Sequence, residues 1–371
     1  MTSPDWLGEL AGCHRAMRSL CERPENVALV FVISVLEETK VLRDYEGFSI
    51  SASFQKRRDA SDFIEAVRSL GFYAQAFFEE REFFSWVLAG GFGALKQDIK
   101  FVYTAAVNST GPGRRALVPA FCNHMGIPTI NLDPYHATLG RHKHNVACFL
   151  RANGVGVPDS WLIFPNGKWR LDRRPPDNLR VIAKATYEGS SIGLSKEGIF
   201  EYAASHEVWL QQLATKLSQP ITVQEFIDGP EFEVPLFEFK GVHVAQPLAV
   251  LDAAGQVTGT RTLDYDTVWS EEYRYAAVTS QEESTTLAAT AILCSELLGH
   301  TGVTRIDVRL DQARQPRVFD VSGTPDLTTM SSCATAITNA GRPYSDLWLL
   351  GLASAAARSG AINERYSSLQ N

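Results

Sequence analysis

Two acids and an arginine on alternating positions are the residues best suited to handle phosphate. In TRIDVRLDQARQPRVFDVSGTPD, Thr304 to Asp326, Ile306, Val308 and Leu310 alternate with Arg305, Asp307 and Arg309. Val318–Ser322 alternates again after the turn-like Asp311–Pro316. Period-two alternation marks strands, with residues two apart sharing a side. A hairpin centred between Ala313 and Arg314 sets Asp307 against Asp320 and Arg305 against Ser322, all on one face. Opposed carboxylates repel unless a cation lies between them, and hard oxygen ligands suit Mg²⁺ bridging to phosphates. The residues equally allow a solvated face on which Arg305 and Arg309 neutralise the acids.

Three other segments bear on the same chemistry. In RVIAKATYEGSSIGLS, Arg180 to Ser195, an apolar strand delivers Lys184 to a loop holding Gly189, Ser190, Ser191 and Gly193. Small residues let backbone amides approach an anion, with the lysine supplying charge; a plain turn is the alternative. Lys143 shares a helical stripe with Val146, Ala147 and Leu150, so its ammonium either snorkels or reaches a phosphate between lobes. ITVQEFIDGPEFEV, Ile221 to Val234, reads as strand, Gly-Pro turn and strand. It is either a hairpin or a connection between lobes that offers its backbone to a base and Glu231 to a ribose.

These groups need a scaffold, and the surrounding pattern supplies one. Val27–Ser34 is an uninterrupted β-rich run that suits a strand buried on both faces. Ala60–Leu70 and Ala116–His124 read as helices, and Lys100–Val107 and Pro128–Leu132 as further strands. The alternation indicates an open α/β domain over residues 1–131. A second segment, 132–224, holds a helix over Gly140–Asn153 and strands near Trp161–Phe164 and Val181–Lys184. The third, 225–371, mixes strands with helices at Ser284–Leu298 and Ser345–Ala357. The pattern therefore reads as three lobes, the first an open α/β domain.

Composition narrows the function classes. The chain has 371 residues, 45% hydrophobic and 21% charged, which excludes a largely disordered protein. Net charge is -7, and Lys56-Arg57-Arg58 and Arg173-Arg174 are too short for a nucleic-acid stripe. The longest apolar run, Val27 to Leu36, is about half a membrane span. The 6 cysteines form no C-x-x-C pair and read as reduced thiols, which points to the cytoplasm. GGFG at Gly90–Gly93 lacks the third glycine of a dinucleotide fingerprint, and His142 and His144 lack a third zinc ligand.

Taken in order, YEGSSIG, QEFIDGPEF and TRIDVRLD…RVFDVSGTPD resemble the ATP-grasp superfamily and, within it, the D-alanine–D-alanine ligases, over roughly residues 100–335. The resemblance implies the ATP-grasp fold: a Rossmann-like N-terminal domain and two α+β lobes that sandwich ATP. It implies an ATP- and Mg²⁺-dependent ligase that makes an acyl phosphate, then an amide, from amino-acid-like substrates. Lys143 and Lys184 match the lysines on the phosphates. Gln224, Glu225, Phe226 and Ile227 match the hinge against adenine, and Glu231 the ribose ligand. Gly189, Ser190 and Ser191 match the phosphate-covering loop, whose first serine also helps set the substrate site. Arg305 matches the arginine at the transferring phosphoryl group, and Asp307 and Asp320 the metal carboxylates. Ser331 falls where the second amino acid's carboxylate is held, and Glu37 or Glu38 where the first amino group is held. A homodimer is the family's usual state.

The chain also departs from the pattern. Ser322 stands in place of an asparagine metal ligand, Asp326 in place of a glycine beside the reacting centre, and Val268 and Trp269 in place of a lysine–tyrosine pair. A basic NSTGPGRRAL replaces an acidic loop, so that Arg114 and Arg115 are set to meet an acidic substrate group. The departures surround the substrates rather than the nucleotide. They imply a donor or acceptor other than D-alanine and a role in specialised biosynthesis.

Overall fold

The computed structural model describes residues 6–130, 133–189, 192, 198–259 and 273–362. Within them three sheets carry the architecture. The first is parallel, ordered β2-β1-β3, from β1 (Val27–Ile33), β2 (Tyr73–Phe77) and β3 (Ile99–Ala105). Every residue of β1 is buried. Leu29, Phe31 and Ile33 enter one apolar cluster, while Val30 and Val32 enter another on the opposite face with Phe83 and Val87. Alternation without polar residues is what a strand covered on both faces requires. The helix Arg57–Ser69 turns Ala60, Phe63, Ala66 and Val67 inward on one side.

The second sheet is antiparallel, ordered β4-β7-β5-β6, from β4 (Ser160–Ile163), β5 (Arg180–Ala185), β6 (Ile199–Glu201) and β7 (Ile221–Glu225). The third has β8 (Glu231–Phe239), β9 (Val242–Ala245), β10 (Leu248–Asp252), β11 (Tyr273–Ala277), β12 (Val303–Leu310) and β13 (Pro316–Ser322). Its order is β11-β10-β8-β12-β13, with β9 also on β8. Ile221 to Val234 is therefore not a hairpin: β7 and β8 belong to different sheets, and the chain crosses between them at Gly229-Pro230. A β-carbon on Gly229 would lie 1.8 Å from the Leu310 carbonyl oxygen, so only glycine fits the crossing.

Other local expectations shift. Thr129 makes only an isolated bridge to Val102 where a strand over Pro128–Leu132 is expected, and residues 131 and 132 lie outside the description. The expected helix over 140–153 begins at Lys143, because the His142 ring caps it by accepting from the Asn145 amide at 3.3 Å. Gly91–Ala94 closes into one helical turn. Late in the chain, the helix Ser345–Ser359 inserts Trp348 among Phe31, Phe63 and Tyr103 of the first sheet's layer. No described helix is long and apolar enough to cross a membrane.

Candidate active site

The floor of the site is the β12–β13 ladder. Asp307 pairs with Asp320 and Arg305 with Ser322, but nearer the turn Val308 pairs with Val318 and Leu310 with Pro316. The hairpin is thus centred one half-step before the expected point, and an extra residue, Phe319, restores the register beyond it. A bulge of this kind re-aims a side chain. Phe319 joins Asp307 and Asp320 in lining the cleft, while Val308, Val318 and Val321 stay in the core beneath.

Arg305 binds Asp307 in a fork, Nε to Oδ1 at 2.7 Å and Nη2 to Oδ2 at 2.9 Å. Its Nη1 lies 3.1 Å from Glu233 Oε2. Glu233 stands on β8 directly opposite Asp307, making three carboxylates abreast across β8, β12 and β13. Ser332 Oγ donates to Glu233 Oε2 at 2.6 Å. Burial lifts Asp307 to about 7, opposed by Arg305 and reinforced by Glu233 and Asp320. Burial acts on Asp320 the same way, yet Lys143, Lys184 and Arg141 outweigh it and hold that carboxyl below its usual range.

The roof comes from the second sheet and the helix Lys143–Ala152. Lys143 Nζ donates to the Glu188 carbonyl at 2.6 Å and lies 3.4 Å from Asp320 Oδ2. Of its two sequence readings, the structure has the ammonium facing the cleft. Lys184 Nζ donates to Gln224 Oε1 at 2.8 Å and sits 4.7 Å above the Phe319 ring. Burial pulls Lys184 down to about 8, with Asp320 opposing and Lys143 adding to the effect.

The remaining expected residues divide. Glu231 lines the cleft, but Arg309 grips it, Nη2 to Oε2 at 2.5 Å. Arg309 also donates to the Ile227 carbonyl at 3.1 Å and packs on the Phe226 ring. Gln224 is engaged by Lys184, and Glu225 accepts from the Asp159 amide at 3.2 Å. None of Gln224 to Ile227 is among the described lining residues. Gly189, Ser322 and Asp326 line the cleft; Ser190, Ser191, Val268 and Trp269 lie outside the described residues. Ser331 is buried as a helix cap, accepting from the Ala334 amide at 3.1 Å.

Three residues lie elsewhere than expected. Glu37 and Glu38 are exposed and are not among the described lining residues: Glu37 accepts from the Arg57 amide at 2.9 Å, and Glu38 pairs with the Arg57 side chain. Asp59, inside the start of the same helix, lines the cleft instead. Arg114 is sealed in an ion pair with buried Glu188 at 2.5 Å, because the tight turn Arg114–Ala116 points neighbouring side chains apart. Arg115 faces the cleft in its stead.

Glu233, Arg141, Asp59 and Phe319 were not singled out from the sequence. Glu233 had a signal, since it shares a strand face with Glu231 two residues away. Phe319 had none, because a bulge is invisible to strict alternation.

The whole cleft holds about 340 Å³, within the range of small-molecule sites. No ready-made cluster of three His, Cys, Asp or Glu ligands occurs among the described residues. That fits Mg²⁺, which commonly takes one or two carboxylates and completes its shell with phosphate and water. The opposed pair Asp307 and Asp320 offers two such carboxylates, and Ser322 follows two residues after Asp320 on β13.

Known proteins match this chain in sequence and in fold. Residues 161–349, about half the chain, match the family described as D-ala D-ala ligase C-terminus. The D-alanine–D-alanine ligase of Marinomonas sp. (strain MWYL1) is 28% identical over 261 residues, 68% of this chain and 76% of that protein. That of Laribacter hongkongensis (strain HLHK9) is 26% identical over 228 residues, covering 61% and 70%. Among solved structures, the D-alanine–D-alanine ligase from Bacillus anthracis complexed with ATP superposes with TM-score 0.65 at 13% identity, over 90% of this chain and 99% of that one. The VanG D-Ala:D-Ser ligase from Enterococcus faecalis gives TM-score 0.60 at 15% identity, over 89% and 100%. These structures share the ATP-grasp fold.

Proposed function

From the premise that this chain belongs to the D-alanine–D-alanine ligase family of ATP-dependent carboxylate–amine ligases, we propose that it joins two amino-acid-like substrates, at least one of them other than D-alanine. ATP and Mg²⁺ are its cofactors. One observation carries the reading: Asp307 and Asp320 oppose each other on adjoining strands while Lys184, from the second sheet, and Lys143, from the helix Lys143–Ala152, reach the same cleft. Phosphoryl transfer asks for positioning and charge neutralisation more than for covalent chemistry, and these groups supply both.

In the proposed reaction a substrate carboxylate oxygen attacks the γ-phosphorus of ATP, and ADP leaves. The amine of the second substrate then attacks the acyl carbon, phosphate departs, and the nitrogen loses a proton. Mg²⁺, when bound, neutralises charge on the phosphates. Lys143 and Lys184 bind and orient the phosphate chain. Arg305, anchored by Asp307 and Glu233, presents its guanidinium to developing oxyanion charge. Gly189 lines the same cleft, where the lack of a side chain leaves room for the phosphates.

Substitution of D-alanine is supported by Asp326, whose carboxylate lines the cleft beside the reacting groups. It accepts from Thr328 Oγ1 at 2.5 Å. A cytoplasmic setting, a place in specialised biosynthesis and a homodimer belong to the same proposal. So does the three-lobe division at 131 and 224.

The test is a screen of amino-acid pairs for ATP-dependent phosphate release, with mass spectrometry of products. Release that needs both a carboxylate and an amine supports ligation. ADP without free phosphate indicates a kinase instead. Lys184→Ala and Asp320→Ala are expected to abolish ADP formation while circular dichroism stays native; full activity in either refutes the site.

A further inference from the structure

The far end of the cleft, walled by the N-terminal layer, holds more positive charge than the protein neutralises. Arg115 reaches Thr324 Oγ1 at 3.4 Å, and its buried Nε has no hydrogen-bond partner. Arg141 is 8% exposed and lines the same cleft. Among the described residues neither guanidinium forms an ion pair. Glu188, the carboxylate that acts on Arg115, is already taken by Arg114. Asp326 is turned to Thr328, accepting from its amide at 3.3 Å as well as from its hydroxyl. Burial, with Arg141 and Arg114 close by, pulls Arg115 well below its ordinary pKa.

Two buried guanidiniums held close together without an ion-pair partner are costly to keep charged. A cleft built this way is completed by an anion. Lys143 and Lys184 already serve phosphate beside Phe319 and Asp320, whereas Arg115 arrives from the opposite layer, against Tyr103 and the loop after β13. Asp59 and Asp326 face this end too and suit an ammonium.

We propose that Arg115 and Arg141, with the Thr324 hydroxyl, form a subsite for a second carboxylate on one of the two substrates, so that this enzyme takes an acidic amino acid. The inference rests on the ligase reading for the word substrate, but the subsite is testable by binding alone. Thermal melts of the full chain with Mg-ADP are titrated with D- and L-aspartate and glutamate, and with asparagine and glutamine.

The acids are expected to raise the melting temperature and the amides to leave it unchanged. Arg115→Gln weakens the acid's apparent affinity by at least about thirtyfold, Arg115→Lys by less, and both keep the Mg-ADP shift. Arg141→Gln gives a second variant should Arg115→Gln fold poorly. Amides that bind as well as acids overturn the subsite, as does no shift with any acid or an acid shift that survives Arg115→Gln. Loss of the Mg-ADP shift in Arg115→Gln assigns the anion to the nucleotide and overturns it also. If an acid binds yet no amine partner ever yields phosphate, the ligase reading fails and the subsite stands.

Discussion

At the scale of single residues, the site works by making charges expensive. Lys184 is buried, and its ammonium is held to about 8 instead of the usual 10.5. Below that pH it is cationic and attracts phosphate. Above it, the free protein has lost the proton that an anionic ligand requires. ADP affinity is therefore expected to be flat below pH about 8 and to fall as pH rises from there toward the higher pKa of the complex. Calorimetric titration at several pH values checks this. Lys184→Met flattens the profile and weakens ADP by about tenfold to a hundredfold. An unchanged slope in that variant rules out Lys184 as the titrating group. Lys184 and the Asp307–Asp320 opposition were legible from strand alternation. The grip of Arg309 on Glu231 was not, because it joins β8 to β12 across a ladder whose register only the folded sheet fixes.

At the scale of elements, one extra residue decides what lines the cleft beneath Lys184. Without Phe319, Val308 would still face Val318 and Asp307 would still face Asp320, in a regular ladder. The bulge adds an aromatic platform beneath Lys184 at no cost to the acids' register. Phe319→Ala, or deletion of Phe319, is expected to weaken ADP by roughly threefold to thirtyfold while Mg²⁺ dependence persists. Loss of Mg²⁺ dependence in the deletion would mean that the bulge sets the carboxylates after all. The crossing at Gly229 is a second such device. It carries the chain from the sheet that holds Lys184 to the sheet that holds Glu233, so roof and floor meet through one short connection. From the residues a hairpin was equally acceptable there. The close approach of Leu310 to Gly229 shows why the crossing needs a residue without a side chain.

At the scale of the whole molecule, the buried clusters cut across chain order. Trp348, 1% exposed, stacks edge-on against Phe31 and Tyr103 and leans on Phe63, so a helix near the end of the chain completes the first sheet's core. Trp6 likewise stacks on Phe237 of β8 with ring centroids 4.5 Å apart. Trp348→Ala should cost about 3–5 kcal/mol, read as a lowered urea midpoint. It should also loosen substrate binding, since Tyr103 lines the cleft. A midpoint shift worth less than about 1 kcal/mol would show that the helix is not anchored there.

What the chain's own order of residues determined is the chemistry with a short period: strands from alternation, helices from stripes, and acids and an arginine on one strand face. Those patterns arise from backbone geometry within a few residues, so they survive without knowledge of the fold. The partners of each charge were decided by tertiary structure alone. Arg114 went to Glu188 and Arg115 to the cleft; Glu37 turned outward and Asp59 inward; Glu231 met Arg309. Each of these choices depends on which distant element supplies a counter-ion and excludes water at that point. That is a property of packed surfaces brought together from distant parts of the chain, and local periodicity carries no record of it.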